Sequence, residues 1–542
     1  MSQQSSPHRS RIQMAGLVLL SAGLTSCPGG EAVRDGILSG DGRIALDAVV
    51  SAAVGMQGVS GRERSVPKVT LTSAEPAENK VPEAAAIKSP EPVASASADA
   101  VSGEELSPEA AERVLVSIGR ETWIYAEPKA GSRRLGYLRF GAVVGRAALP
   151  ASRDDCAQGW YRISPEGYAC NNGRTATLDL EHRLVAIGRQ RPDRLAGLPY
   201  VYGVPKASAP PLYARVPTPD EQQSVESSAA NGRLGREWEE FYLLPMPNWL
   251  RQTANVFGYP RERGALLAGS TVPRSAFSML GLFEDGGRAF GLTADLTLVP
   301  LTRLRPIEPS RFHGLALDPQ HSLPVVFVLS PKASVFTGEP GTKDFKFARQ
   351  LSFRDAVSIT GRKVNAVGSH WVELRTGEWI RDERLRIVEQ PSNWPSWAVA
   401  GRTWVDVSIG AQTLVAYDGT EPAYVTLVST GAAGLEDPQK STATKRGTFQ
   451  IHTKHVTATM AGNEPGHEFD LHDVPWVQYF TEGYALHAAY WHDDFGRPRS
   501  HGCVNLSPLD ARWLFHFTSP PVPQSWHGVL SNREATIVNV HP

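Results

Sequence analysis

The sequence lacks an excess of charge of either sign. Its 542 residues include 55 lysines and arginines against 56 aspartates and glutamates. Binding to nucleic acid depends largely on a positive field around the protein, and a balanced chain does not produce one. We therefore expect no nucleic-acid partner. The chain is also too long for one ordinary core, so several domains joined by linkers are expected.

The apolar run near the N-terminus, Ala15–Leu24, is too short to span a bilayer as a helix. Its length and the basic residues before it are typical of a signal peptide, residues 1–26. The following letters LTSC resemble a bacterial lipobox, which implies that Cys27 is lipidated and anchors the protein on the periplasmic side of the cell membrane or outer membrane. In the alternative, an ordinary secretory signal, Cys27 is discarded.

Cysteine is scarce, with only 4 in the chain. An exported protein meets oxidising conditions, so Cys156 and Cys170, fourteen residues apart in one β-rich segment, are predicted to form a disulfide. Cys503 is then left over. A thiol kept in such a compartment is a candidate for reactivity, although a buried and unreactive cysteine is also common.

Composition divides the N-terminal half into segments. Residues 27–112 are rich in Ala, Pro, Ser and Glu and poor in aromatics. Such a segment buries too little apolar surface to offset chain entropy, so it is predicted to be a flexible, disordered tether. Residues 200–320, the middle region, contain strand-like pieces such as RAFGLTADLTLVPLTRL and the helix-like REWEEFYLLP, but they match no module.

Two segments have similar patterns: residues 113–199, the first β module, and residues 321–395, the second β module. Each contains short strands, a turn with Pro-Lys and a hairpin led by a tryptophan, Trp160 or Trp371. Short strands separated by Gly and Pro turns predict small β-barrels. Both segments resemble bacterial SH3-like domains, which implies a binding or spacer role at the cell wall. Generic β-structure without a binding role is the alternative.

The C-terminal domain, residues 401–541, begins with three predicted strands in TWVDVSIGAQTLVAYDGTEPAYVTLVSTG, with turns at Gly410 and Asp418-Gly419. A helix is predicted from Pro508, because Ser507 is a suitable N-cap and Asp510 completes a capping box. The whole chain is therefore predicted to be mainly β. Cys503 lies on a loop just ahead of that helix.

A thiol needs a base to become a nucleophile, because a cysteine of pKa about 8.5 is mostly protonated at neutral pH. His501 is two residues away, but local backbone can prevent a productive approach. His487, at the end of the strand-like GYALHA, is better placed to be held opposite Cys503. Gly502 leaves room for a substrate carbonyl to approach the N–H groups of Gly502 and Cys503, which are predicted to form an oxyanion hole.

The segment HAAYWHDDFGRPRSHGCVNLSP resembles the signature of the L,D-transpeptidase (YkuD-type) catalytic domain. The resemblance implies that Cys503 is the nucleophile, that His487 is the general base, and that a backbone carbonyl beside this histidine completes the relay. It also implies a β-rich catalytic fold. Four further residues are expected to shape the site or to bind substrate: Tyr484, Ser500, His501 and Asn505.

The resemblance further implies a reaction and its partners. Cys503 would attack a tetrapeptide stem of peptidoglycan, release D-alanine and form a thioester, which an amine of a second stem would resolve into a 3-3 cross-link. A protein lysine, another D-amino acid or water are alternative acceptors. No metal, nucleotide or organic cofactor is required, and the sequence does not indicate the oligomeric state.

Two other classes of function compete with this hypothesis. The first is a metal site, since the C-terminal domain is rich in histidine, but the spacings match no familiar zinc pattern. The second is a non-catalytic, lipid-anchored envelope protein that grips the wall through its SH3-like modules. The intact set of His487, Ser500, His501, Gly502, Cys503 and Asn505 argues against a decayed domain.

Overall fold

The computed structural model describes residues 113–188, 192–226, 234–252, 265–269, 271–462, 468–530 and 534–542. The predicted signal peptide, the lipidation site Cys27 and the tether lie outside the described residues. The prediction of a mainly β fold is confirmed, because strands make up most of the regular structure. Among the described helices, none has the length and apolar character needed to cross a membrane.

The first β module contains β1 (Val114–Ser117), β2 (Thr122–Tyr125), β3 (Arg134–Leu138), β4 (Val143–Gly145), β5 (Trp160–Arg162), β6 (Tyr168–Cys170), β7 (Ala176–Thr177) and α1 (Arg183–Gly188). The middle region contains β8 (Val201–Pro205), β9 (Leu212–Tyr213), α2 (Pro219–Glu226), β10 (Leu244–Pro245), α3 (Asn248–Gln252), β11 (Leu267–Gly269), β12 (Ser275–Asp285), β13 (Arg288–Thr293), β14 (Leu298–Pro300), β15 (Leu304–Pro306) and β16 (Leu315–Ala316), with 3₁₀ turns at Arg236–Trp238 and Leu301–Arg303.

The second β module contains β17 (Val325–Val328), β18 (Lys332–Thr337), β19 (Lys346–Ser352), β20 (Ala356–Ala366), β21 (Ser369–Leu374), β22 (Trp379–Arg381) and β23 (Leu385–Val388). After α4 (Ser396–Val399), the C-terminal domain contains β24 (Thr403–Ser408), β25 (Thr413–Asp418), β26 (Glu421–Leu427), β27 (Gly447–Gln450), β28 (Thr453–Gly462), β29 (Phe469–Thr481), β30 (Tyr484–Ala488), β31 (Val504–Leu506), α5 (Pro508–Phe517), β32 (Gly528–Leu530) and β33 (Ile537–His541).

The first β module is joined to the C-terminal domain by a shared sheet. Strand β3 pairs antiparallel with β32, with Gly136 opposite Val529. The backbones approach so closely that a Cβ at Gly136 would lie 2.2 Å from the Gly528 carbonyl oxygen, so only glycine fits there. Cys156 and Cys170 form a disulfide within the module, with their Cα atoms 6.0 Å apart.

The middle region also pairs with the C-terminal domain. Strand β12 runs parallel to the start of β29, with Ser275 opposite Asp470 and Ala276 opposite Leu471. Strand β16 adds an edge to the C-terminal sheet through its antiparallel pairing with β26. The helix expected in REWEEFYLLP is wrong: the segment forms a single 3₁₀ turn, and Trp238 is buried there with its indole N–H donating to the Leu304 carbonyl at 3.0 Å.

The second β module forms a sheet of its own, in the order β19-β18-β22-β21-β20-β17-β23. Successive residues of β17 point to opposite faces, as in any strand. Val326 and Val328 join the core of the module, whereas Val325 and Phe327 pack against C-terminal residues that include Trp404. The second β module therefore meets the C-terminal domain through side chains rather than through a shared strand.

The C-terminal domain is built on a sheet in the order β16-β26-β25-β24-β33-β27, against which α5 and the strands around Cys503 pack. The predicted strands of residues 403–427 and the helix from Pro508 are confirmed. Ser507 caps α5 by accepting the Asp510 N–H at 3.1 Å. At the other end of α5, the buried Lys454 ammonium donates to the carbonyls of Phe515 (2.6 Å) and Thr518 (2.7 Å), which satisfies groups that a helix end leaves without partners.

Candidate active site

Two short parallel strands bring the predicted site residues to one face. Strand β30 pairs with β31 so that Leu486 lies opposite Val504 and His487 opposite Asn505. Side chains alternate across a strand, and Leu486 and Val504 point into the core of the C-terminal domain. His487, Asn505 and the preceding Cys503 therefore share the opposite face of the sheet.

One ring nitrogen of His487 makes a hydrogen bond to the backbone. Its side chain is buried, and Nδ1 lies 3.0 Å from the carbonyl oxygen of Ala488. A carbonyl can only accept, so Nδ1 carries the proton and Nε2 keeps its lone pair. Burial lowers the pKa of His487 to about 4, and the Ala488 carbonyl raises it only in part. The imidazole is therefore neutral at pH 7 and able to accept a proton at Nε2.

The sulfur of Cys503 is closed off from solvent in this conformation. The residue is 1% exposed, and its thiol donates to the Gly483 carbonyl at 3.7 Å. Cys503 belongs to the same hydrophobic cluster as Ala485, Tyr490 and Tyr202, the last of which comes from the middle region. A substrate reaches this thiol only after part of this cover moves.

Tyr202 and Tyr490, two members of the hydrophobic cluster that contains Cys503, pack against each other. Their ring centroids are 4.4 Å apart. The Tyr202 hydroxyl donates to the Asp473 carbonyl at 2.6 Å, and the Tyr490 hydroxyl donates to the His472 carbonyl at 3.1 Å. Both carbonyls lie on β29, which forms a long hairpin with β28. Residues of the middle region and of this hairpin thus belong to the same hydrophobic cluster as Cys503, and we call these two parts the cover.

The turn before Cys503 uses the backbone donor that was expected to face a substrate. The Gly502 N–H donates to Ser500 Oγ at 3.0 Å, and Ser500 Oγ in turn donates to the Cys503 carbonyl. The Gly502 N–H is therefore engaged within the turn in this conformation, and the oxyanion role expected for it stays a prediction. Ser500 is buried and supports the turn from within.

Gly502 and Tyr484 depend on each other. Gly502 has a φ of +127°, and a Cβ there would lie 2.9 Å from Tyr484 Cε1, so both backbone conformation and space require glycine. The Tyr484 side chain is buried in the core of the C-terminal domain, and its hydroxyl donates to the Pro438 carbonyl at 3.3 Å. In this conformation the Tyr484 side chain packs in the core, and the substrate-binding role expected for it stays a prediction.

His501 faces the cover rather than the core. Its ring lies against Phe469, with centroids 5.4 Å apart, and Phe469 is the first residue of β29. The structure thus separates the two histidines that were weighed as the base. His487 stands on the strand beside Cys503, and His501 contacts the hairpin that covers the site.

The sequence offers His492 as a further histidine near Cys503, for which a polar loop without a catalytic role was preferred, and the structure places it beside Asn505. His492 Nε2 lies 2.9 Å from the side-chain amide nitrogen of Asn505, and Nδ1 accepts the Asp494 N–H at 3.2 Å. Burial lowers the pKa of His492 to about 3, with further lowering by nearby Arg499. The only signal in the sequence was its position between His487 and Cys503.

No group of three or more His, Cys, Asp or Glu side chains suited to holding a metal ion occurs in the part of the chain that the structure describes.

The C-terminal domain matches a known family. Residues 402–529 match the model of the L,D-transpeptidase catalytic domain, YkuD. A curated protein of Bacillus subtilis (strain 168), "Putative L,D-transpeptidase YciB", is 26% identical over 124 residues, which are 21% of this chain and 59% of that protein. The chain thus spans less than two thirds of the length of this relative.

Solved structures of L,D-transpeptidases also match part of the chain. The catalytic domain of the Enterococcus faecium enzyme is 23% identical, with 26% of this chain and 98% of that chain covered and a TM-score of 0.20. L,D-transpeptidase 3 from Mycobacterium tuberculosis is 16% identical, with 34% of this chain and 79% of that chain covered and a TM-score of 0.20.

Proposed function

We propose, because residues 402–529 belong to the family of L,D-transpeptidase catalytic domains, that this protein is a cysteine-dependent acyltransferase. Its substrate would be the tetrapeptide stem of peptidoglycan, and its product a 3-3 cross-link between two stems. Cys503 is the nucleophile and His487 the general base. No cofactor takes part in the proposed reaction.

The observation that carries this proposal is the register of β30 and β31. It supports a shared face for Cys503, His487 and Asn505 within the residues matched by the family model. The contact between His487 Nδ1 and the Ala488 carbonyl supports the role of base, since it leaves Nε2 as the nitrogen that takes the thiol proton.

The proposed reaction has two steps, as covalent catalysis allows. His487 takes the proton of Cys503, and the sulfur forms a bond to the carbonyl carbon of the third stem residue. The bond from that carbon to the D-alanine nitrogen breaks, and the proton passes from His487 to the departing amine. An amine of a second stem then attacks the thioester and gives up a proton to His487, the carbon–sulfur bond breaks, and this proton passes from His487 to the Cys503 sulfur.

The sealed thiol favours a second candidate, a non-catalytic wall-binding protein. Cys503 at 1% exposure cannot meet a peptide in the conformation described. The proposed enzyme must therefore open, by movement of the β28–β29 hairpin or of the middle region. The wall-binding candidate needs no such opening, which makes covalent labelling of Cys503 the deciding measurement.

The test uses the full chain with a disaccharide-tetrapeptide and intact-protein mass spectrometry. We expect an adduct on Cys503 whose mass is that of the substrate less D-alanine, and cross-linked product when excess stem is added. Cys503→Ser should form no thioester, and His487→Gln should slow acylation by about a hundredfold or more. No adduct in the wild-type chain, under conditions that acylate another L,D-transpeptidase, would favour the wall-binding candidate.

We also propose that the protein acts in the periplasm and is held on a membrane by lipidated Cys27, with the β modules as spacers or wall contacts. The support is the apolar run and the LTSC sequence, together with the extracytoplasmic location of peptidoglycan. Cys27→Ala should move the protein from the membrane fraction to the soluble fraction. Retention of this variant on the membrane would refute the lipid anchor.

A further inference from the structure

The loop after β30 contacts three neighbouring positions on the active-site face. Strand β31 has neighbours on both sides: His487 faces Asn505 from β30, and Ser429 exchanges two backbone hydrogen bonds of 2.9 Å with Asn505. The loop contacts all three positions. Trp491 packs on His487 with ring centroids 5.8 Å apart, His492 bonds Asn505, and the Asp494 carbonyl accepts from Ser429 Oγ at 3.0 Å.

The hydrogen bonds of His492 decide where its proton is. The Asp494 N–H donates to Nδ1, so Nδ1 is an acceptor. A neutral imidazole carries one proton, which must then be on Nε2. Burial lowers the pKa of His492 to about 3, and it stays neutral at pH 7. His492 therefore offers an N–H donor to the side-chain amide of Asn505.

A donor at Nε2 fixes the orientation of that amide. With the amide nitrogen of Asn505 toward Nε2, two N–H groups would meet at 2.9 Å, and the buried Oδ1 would have no hydrogen-bond partner among the described residues. The two ends of an amide are distinguished by their hydrogen bonds. Turning the amide replaces this contact with one good hydrogen bond from Nε2–H to Oδ1, and it places the NH₂ group at the other, buried end.

We propose that His492 is a positioning residue whose Nε2–H fixes Asn505, so that the NH₂ group of Asn505 becomes a donor for a carbonyl oxygen of the bound stem peptide. Residues two apart in a strand are separated by about 6.6 Å, a gap that an asparagine side chain and a hydrogen bond span together. The donor is therefore within reach of a carbonyl attached to Cys503. It supplies a contact that the Gly502 N–H, bonded to Ser500, does not.

This inference rests on the proposed function, because the oxygen that the donor receives belongs to the peptide attacked by Cys503. A donor that bonds more strongly to the developing oxyanion than to the ground-state carbonyl acts mainly on the rate of acylation. Loss of the orientation should therefore lower kcat more than it raises KM.

The variants separate orientation from packing. His492→Phe keeps a ring against Phe495, which lies 5.1 Å from the His492 ring, but removes the N–H. We expect acylation of Cys503 by the tetrapeptide to slow about tenfold or more, mainly in kcat. His492→Gln restores an N–H at the same place and should return the rate to within about threefold. The matched control is His452→Phe, at an exposed histidine elsewhere in the domain, which should leave the rate unchanged.

A spectroscopic measurement keeps the inference testable without turnover. In full-length wild-type protein labelled with ¹⁵N-histidine, the shifts of His492 should be those of the neutral Nε2–H tautomer at pH 7. The Nδ1–H tautomer, or a rate for His492→Phe equal to wild type, would overturn the inference. So would failure of His492→Gln to recover activity. Absence of any acylation in the wild type refutes the proposed function instead, and the tautomer then decides this inference alone.

Discussion

The first and second β modules look alike in sequence, yet they are attached to the C-terminal domain in different ways. Both bury the tryptophan that leads their hairpin, and in both its indole N–H donates to a backbone carbonyl of the same module: Trp160 to Asp154 at 2.7 Å and Trp371 to Ala366 at 2.9 Å. The pattern that makes the two sequences similar therefore stabilises each module internally. It does not determine what the module does in the whole molecule.

The first β module is built into the C-terminal domain. Trp526 lies in the core of that module, and β3 extends the sheet through β32. Arg139 and Asp473 form a fully buried ion pair across the junction. The Asp473 carboxylate also accepts from Ser278 Oγ at 2.6 Å and Thr457 Oγ1 at 2.8 Å, so one side chain ties together the first module, the middle region and the hairpin over the site.

The second β module touches the C-terminal domain through apolar packing and an ion pair between Arg354, which is largely buried, and the exposed Asp493. Phe327 packs beside Trp404, and Arg354 bonds Asp493, a residue that is 61% exposed. Its own core contains only residues of the module. We therefore expect the first β module to unfold together with the C-terminal domain, because the two share a strand pairing and a buried ion pair. The second β module has a core of its own and should unfold more independently.

Breaking the buried ion pair should have the largest effect. Arg139→Met leaves the Asp473 carboxylate buried beside two hydroxyls and without its ion-pair partner, and removal of one partner of such a pair costs about 3–5 kcal/mol. Urea denaturation followed by circular dichroism measures this loss. The control is Arg134→Met, at an exposed arginine of the same module, with an expected loss of about 0.5 kcal/mol. Equal losses in the two variants would show that the junction is not a cooperative unit.

Removing the disulfide should have the next largest effect. Cys156 and Cys170 close a loop with a sequence separation of 14, and their joint replacement by alanine should cost about 3 kcal/mol. Because β3 and β32 share a sheet, hydrogen exchange should accelerate in residues 114–177 and also in residues 528–530. Residues 325–388 should be unchanged. Acceleration confined to residues 114–177 would contradict the shared unit.

The two modules also explain what the sequence could and could not predict. Local patterns predicted the strands of residues 403–427 and the helix after Ser507. They also singled out His487, which the register of β30 and β31 places opposite Asn505, two residues after Cys503. They did not predict the junction at Gly136 or the closed cover over Cys503, because both depend on residues hundreds of positions away. The contact between His492 and Asn505 was not predicted for a related reason. The partner of His492 is the side-chain amide of Asn505, thirteen positions along the chain. Only the register of β30 and β31 brings Asn505 beside His487.

Acid should weaken the junction between the first β module and the C-terminal domain. Burial, together with Arg139, lowers the pKa of His455 to about 4, against about 6.5 in an unfolded chain. Below pH 6.5 the unfolded state binds a proton that the folded state does not. Stability therefore falls as the pH drops from 6.5 towards 4, by at most about 1.4 kcal/mol per pH unit for this group. Free energies of unfolding at pH 7, 6 and 5 should show this slope.

The variant His455→Gln should flatten the acid dependence, because glutamine does not titrate. The matched control is His370→Gln, at an exposed position of the second β module, which should leave the slope as in the wild type. A slope that His455→Gln does not reduce would show that other groups carry the acid sensitivity of the junction.

The smallest effect is expected at the second module, from Arg354→Ala. The guanidinium donates to Asp493 Oδ1 at 2.7 Å and lies over the ring of Phe353, 4.6 Å from its centroid. Its loss should cost only about 1 kcal/mol, because the exposed Asp493 carboxylate can be solvated by water. The effect should shrink further in 0.5 M salt, which screens exposed pairs. Since Asp493 follows His492, acylation of Cys503 should also slow a few-fold. A loss above about 3 kcal/mol would mean that the second module is as deeply integrated as the first, and the contrast between the two modules would then fail.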